Sequence, residues 1–264
     1  MSHAVAQSLA PEGWRTDAPA VAAALREAGR FGRYAQVDLD GRHGPPATRL
    51  YRDPAALATA IGRVAVRLGC HEWRVAASML HVEYTLRLWS IVLGAVTAAR
   101  IVPDLTGLRC RYGLDGRAQP ALTGVGGWRL VDERGGCALV ARTVLDGHVR
   151  PLQAALRRTA RLPERLLWGN TAAMLLSAVR TVGGAQPPAG LRRLAVRLLA
   201  APPLRDAIDH RLGPDGWIAP GSVVRRSCCL SYRLADPHIC AECPVGGTAW
   251  HRGDGRSGCH RDPG

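Results

Sequence analysis

EWRVAASMLHVEYTLRLWSIVLGAVTAAR, residues 72–100, is the stretch on which the fold class turns. It is too long for a strand and carries no proline, so it reads as one long, largely buried helix stopped near Pro103. Met79, Val82, Leu86, Leu93 and Val96 supply its apolar stripe. Its uncharged core, Leu88–Ala99, and the run Leu166–Val179 both fall short of the roughly 18 residues a membrane-spanning helix needs. The helix is therefore expected inside protein, not lipid.

The pattern extends in both directions. Upstream, DPAALATAIGRVAVRLGC opens with Asp53 as candidate N-cap and Pro54 at the first helical position. Leu57, Ile61, Val64 and Leu68 then share one face. Residues 36–41, QVDLDG, read as a short strand, a first helix starts near residue 19, and the Ala- and Pro-rich residues 1–20 read as loose. Downstream, residues 104–136 turn rich in Gly, Pro and Asp, and RCRYGLDG and GWRLVDERGG read as strands of a small sheet. A helix follows over about 139–160 with a bend or restart at Pro151. LPERLLWGNTAAMLLSAVRTVGG is another, with Pro163 in its first turn and Gly183 or Gly184 ending it. GAQPPAG is a linker, and a last helix spans about 190–212, interrupted near Pro202 and Pro203.

The expected fold class is α+β, predominantly α-helical, with a small central antiparallel sheet and a C-terminal cysteine-rich loop. The expected organisation is an N-terminal segment 1–50, partly loose; a helical core 51–220; a cysteine segment 221–245; and a flexible tail 246–264. At 264 residues and 47% hydrophobic, the chain can bury a sizeable core. Its charge of +14 would ordinarily suggest nucleic acid. Every basic residue is Arg and none is Lys, however, which reads as compositional drift, and no nucleic-acid motif accompanies it. A positive field that attracts acidic proteins or anionic ligands remains. The N-terminus has neither a basic run nor a long apolar run, so the expectation is a cytoplasmic protein without a signal peptide or membrane span.

Four of the eight cysteines lie in RRSCCLSYRLADPHICAECPVGG, residues 225–247, as C-C-x10-C-x2-C. In a reducing compartment such a cluster points to metal or redox chemistry before disulfides. Adjacent side chains of a strand face opposite ways, so Cys228 and Cys229 can share a centre only where the backbone leaves strand geometry. Zinc sites space their ligand pairs by two to four residues, which suits Cys240 and Cys243 and not Cys228 and Cys229. Four thiolates can complete a [2Fe–2S] cluster, with Arg225, Arg226 and Arg233 nearby to offset its negative charge. Structural zinc and an unligated state stay open. Cys70, Cys110 and Cys137 read as plain core residues. Cys259 with His238, His251 and His260 is too loosely spaced for a second metal site.

RRSCCLSYRLADPHICAECP resembles the C-terminal signature of the FhuF-like ferric-siderophore reductases. ERLLWGN, residues 164–170, and ASMLHVEYTLRLWS, residues 77–90, look like two further stretches of that family, so the resemblance runs over roughly residues 70–245. It implies a [2Fe–2S] cluster on Cys228, Cys229, Cys240 and Cys243, and reduction of a hydroxamate-type Fe(III)-siderophore to Fe(II) in the cytoplasm. No G-x-G-x-x-G stands at a strand–helix junction, so a built-in nicotinamide or flavin site is not expected and an external electron donor such as a ferredoxin is. Arg225, Arg226 and Arg233 become candidates for tuning the cluster or touching the iron chelate. Trp168 and Asn170 become candidates for lining the substrate cleft or bracing the cluster loop, with ordinary packing as the alternative. Tyr232 is a candidate shield or substrate contact, and His238 a hydrogen-bond donor to sulfur. The competing classes are a zinc-stapled helical binding module without redox activity and an iron–sulfur sensor.

Overall fold

The computed structural model describes residues 13–40, 44–219, 221–236 and 242–244. At its centre runs α4, Trp73–Ala99. It has no strongly apolar side because it is buried on most sides, from Val75 to Ala95. Against it pack α1 (Ala18–Ala28), α3 (Pro54–Arg67) and, most extensively, α7 (Glu164–Gly183). The expected apolar stripe is only part of this. Leu93 is fully buried, but Met79, Val82, Leu86 and Val96 pack on the core from its rim. Beside the fully buried Leu80, Leu88, Trp89 and Ile91, the deep positions include several small or polar residues: Ala76, Ala77, Ser78, His81, Thr85 and Ser90. Small residues let neighbouring backbones come close. At Gly94 a Cβ would stand 2.8 Å from the Cβ of Ala28 on α1. Glu83, also buried, ties α4 outward: one carboxylate oxygen accepts from Arg67 of α3 at 2.7 Å and the other from the Ala118 N–H at 3.1 Å.

The sheet lies where the Gly- and Asp-rich segment predicts it, but in two pieces. β2 (Ile101–Pro103) and β5 (Gly127–Leu130) pair antiparallel, and β3 (Leu108–Tyr112) with β4 (Ala118–Leu122) form a separate hairpin. The other edge of β5 is covered by β1, Gly13–Thr16, with Gly13 opposite Leu130 and Thr16 opposite Gly127. Residues 13–20, expected to be loose, are therefore built into the fold: Asp17 caps α1 by accepting from the Ala20 N–H at 2.7 Å, with Pro19 in the first turn. Residues 36–40 do not make the strand expected over 36–41, and residue 41 lies outside the described residues. Asp38 forms a single bridge to Ala121, and its carbonyl accepts from the Leu122 N–H at 2.8 Å. A short α2, Arg49–Arg52, leads to Asp53, which caps α3 through the N–H groups of Ala55 and Ala56 as its sequence predicts.

The next helical run is continuous and starts earlier than expected. α5 covers Glu133–Ala141, a π-helical segment Arg142–Val149 follows, and α6 covers Arg150–Ala160. Asp132 starts it by accepting from the Gly135 N–H at 2.7 Å, which outweighs the poor helix propensity of Gly135 and Gly136. Pro151 does not break the run. A proline ring collides with the carbonyl four residues back in α geometry, and the wider π turn removes that collision. α7 ends at Gly184, whose φ of +65° suits glycine. α8, Ala189–Ala200, stops before Pro202 and Pro203, so the expected helix to residue 212 is absent. In its place β6 (Ile208–Asp209) pairs with β7 (Val224–Arg225), and this ribbon delivers the chain to the cysteines. No described helix is long and apolar enough to cross a membrane.

Candidate metal centre

β7 lays Arg225 against α7. The Arg225 N–H donates to the Glu242 carbonyl at 2.9 Å, and its side chain enters the interior, where it is 1% exposed. There Nη2 donates to Oδ1 of Asn170. The Asn170 amide donates to Ser78 Oγ at 3.1 Å, and the Ser78 hydroxyl donates to the backbone carbonyl of Cys229 at 2.7 Å. All of these side chains are buried. One closed path thus runs from β7 through α7 and α4 and back to the cysteine segment.

Gly169 makes room for it. A Cβ there would stand 2.4 Å from Ser227 Oγ and 3.2 Å from Nη2 of Arg225, so the Trp-Gly-Asn order is a steric requirement of this crossing. Ser227 adds a second tie, donating to the Arg165 carbonyl at 2.9 Å.

Past Ser227 the chain leaves strand geometry, as two adjacent thiols facing one centre require. Leu230 adopts a left-handed φ of +72°, and its N–H donates to Cys228 Sγ at 3.3 Å. Cys229 is buried, with Sγ 3.1 Å from Ser231 Oγ. The Cys228 thiol is pushed far above its ordinary range, first by its hydrogen bond with Cys229, then by burial, with the charges of Cys229 and Cys243 acting in the same direction. The Leu230 N–H works against this rise. The neighbouring sulfurs thus hinder ionisation of Cys228. Cys240 and His238 lie outside the described residues, as do His251, Cys259 and His260. Among the described residues, no three His, Cys, Asp or Glu side chains form a metal-holding group.

The other candidates divide. Asn170 and Arg225 join the cysteine segment directly. Arg226 pairs with Asp209 at 2.7 Å and Arg233 with Glu72 at 2.8 Å, both pairs about half-exposed. Trp168, two residues from Asn170 and so on another face of α7, donates from Nε1 to Glu164 at 3.3 Å beneath the Arg150 guanidinium. Tyr232 is half-buried in the turn Ser231–Arg233. Of the cysteines read as core, Cys70 and Cys110 are buried and Cys137 is half-buried.

Sequence reasoning passed over Ser78, His81 and Glu242. A serine and a histidine in a mostly apolar helix were the available signal. His81 is fully buried with neither ring nitrogen hydrogen-bonded among the described residues, and it is pushed down to about 3 by burial first and by the Arg225 charge second. Glu242 sits inside the C-x2-C pair, is buried, and accepts from Arg180 at 2.7 Å.

Residues 96–211 match the family model described as ferric iron reductase FhuF-like transporter. A ferric siderophore reductase of Escherichia coli (strain K12) is 28% identical over 106 residues, which is 39% of this chain and 39% of that protein. The match to this curated relative therefore covers about two fifths of its length. The family match contains Trp168, Gly169 and Asn170, and it stops before Arg225 and the cysteines. The FhuF-like resemblance read from the sequence thus stands on an independent match to the middle of the chain.

Proposed function

We propose that this chain, FhuF-like over residues 96–211, reduces Fe(III) held by a hydroxamate-type siderophore to Fe(II) in the cytoplasm, using a [2Fe–2S] group on Cys228, Cys229, Cys240 and Cys243. The observation that carries this reading is the buried path Arg225–Asn170–Ser78–Cys229 carbonyl, which fastens the paired thiols to the two central helices.

The donor chemistry suits such a group, although Cys228, Cys229 and Cys243 do not by themselves form a metal-holding group among the described residues. Its ligands must be soft thiolates, and the nearby carboxylates are already engaged: Glu242 by Arg180, Glu72 by Arg233 and Asp209 by Arg226. The Cys228–Cys229 hydrogen bond is a contact that a bound cation would replace. When bound, a [2Fe–2S] group supplies one-electron transfer, which a zinc ion does not. The hard oxygens of a siderophore favour Fe(III), so a single electron loosens the metal and frees the chelator. The protein's own share is positional. Ser78 and the Leu230 N–H fix the backbone and one sulfur, and burial of Cys229 keeps water from that side. The electron comes from an external donor such as an acidic ferredoxin, for which the chain's net charge of +14 speeds encounter.

The test is anaerobic purification followed by iron and sulfide analysis and EPR after dithionite. About two irons and two sulfides per chain with an S = ½ signal support the reading. A colourless protein with one zinc contradicts it and makes the same cysteines a structural staple.

A further inference from the structure

We propose that Arg225 is the buried counter-charge of the anionic group on the cysteines, and that Asn170 is the positioning residue that keeps this charge unneutralised; this rests on the cysteine assignment of the preceding subsection.

The argument starts from what Arg225 lacks. A guanidinium stays charged in a protein, and a buried one normally has a carboxylate partner. Arg225 is 1% exposed and forms no ion pair among the described residues. Its Nε has no hydrogen-bond partner there, and Nη2 donates to a neutral amide. The carboxylate best placed to neutralise it is Glu242, whose backbone carbonyl accepts from the Arg225 N–H. The Glu242 side chain is committed to Arg180 at 2.7 Å instead. At residue 170 the fold thus presents a carboxamide where a carboxylate of nearly equal size would pair with the cation.

An unpaired buried charge is costly, and an opposite charge close by offsets that cost. The thiols of Cys228 and Cys229 follow Arg225 by three and four residues, and the path through Asn170 and Ser78 ends on the Cys229 carbonyl. A [2Fe–2S] group on four thiolates is an anion and becomes more negative by one charge on reduction. A fixed cation beside it favours the reduced form and raises the potential. Arg226 and Arg233 are distinguished from Arg225 by their exposed acidic partners, which cancel most of their field.

The experiment is an EPR-monitored redox titration of the purified, cluster-loaded full chain, with iron content measured on each sample. In Arg225→Gln, the ratio of reduced to oxidised protein at a fixed potential falls about tenfold, equal to about 59 mV for a one-electron couple. Arg225→Lys keeps the charge and stays within about twofold of the parent. Arg226→Gln and Arg233→Gln also stay within about twofold, since an exposed, paired charge contributes little. Arg225→Gln with full iron content and an unchanged potential overturns the proposal and leaves the cysteine assignment intact. If Arg225→Gln no longer holds two irons, recovery of both in Arg225→Lys supports a role for charge, and failure to recover them overturns it. A parent protein without iron and sulfide overturns the cysteine assignment and this inference together.

Discussion

Two buried polar clusters touch α4, and they are completed in opposite ways. One contains Tyr84, Tyr51 and His148. Tyr51 Oη lies 2.5 Å from Tyr84 Oη and 2.7 Å from His148 Nδ1, and His148 Nε2 lies 3.1 Å from the Leu105 carbonyl. Because a carbonyl only accepts, Nε2 carries the proton, Nδ1 accepts from Tyr51, and Tyr51 accepts from Tyr84. Every proton in the chain has a place. The other cluster contains Ser78, His81, Asn170 and Arg225. It leaves Arg225 Nε and both ring nitrogens of His81 without partners among the described residues, together with the nearby Thr85 hydroxyl of α4. The first is a closed tie that joins α2, α4, the π segment and the loop at Leu105. The second fastens a loop and leaves charge and hydrogen-bonding capacity unspent beside the paired thiols. Burial is common to both clusters, and completeness of hydrogen bonding among the described residues is what separates them.

The contrast can be broken by experiment, and the largest effect belongs to the open cluster. Cys229→Ser should abolish the visible absorbance and EPR signal, while the circular dichroism of the helices persists. A Cys229→Ser protein that retains its cluster would remove these thiols from the account.

The closed cluster should answer to acid. Burial pushes His148 down to about 4, with the Leu105 carbonyl and then Asp104 acting the other way. Its folded value lies below the ordinary 6.5, so its contribution is fully present above about pH 6.5 and is lost as pH falls towards 4, by about 3 kcal/mol. His81, also buried and lowered, steepens the same fall. Urea unfolding at stepped pH checks this, and His148→Gln should flatten the slope by about one proton.

Within the closed cluster, position in the chain sets the cost. Tyr51→Phe orphans both His148 Nδ1 and the Tyr84 hydroxyl and should cost about 2–3 kcal/mol. Tyr84→Phe removes only the outermost donor and should cost about 1 kcal/mol. Neither should alter iron content, and a Tyr51→Phe protein that loses iron would mean the two clusters are coupled. The smallest effect is expected at the exposed Arg226–Asp209 pair: Asp209→Asn should change stability by less than about 0.5 kcal/mol.

What could be read in the sequence was local chemistry. Asp53 and Pro54 start α3, Gly184 ends α7, and the buried length of α4 follows from its own residues. The cysteine spacing marked the candidate centre in the same way. What escaped depends on distant pairing. β1 becomes a strand only because β5 offers an edge far along the chain. The π segment is a compromise between Pro151 and a continuous helix, and hydrophobic period does not report it. Ser78 meets Asn170 across 92 residues, and Asn170 meets Arg225 across 55. A serine on a helix, as at Ser78, reads as ordinary until its partners are in place. Arg225, Arg226 and Arg233 were indistinguishable by type, and burial and acidic partners separate them.

The most direct test is a single turnover. The anaerobically purified chain is reduced with dithionite, freed of excess reductant and mixed with a ferric hydroxamate siderophore and a chromogenic Fe(II) chelator. The account predicts that the bleached visible spectrum returns as about one Fe(II) per chain appears. A spectrum that stays bleached, with no Fe(II) captured, would contradict it.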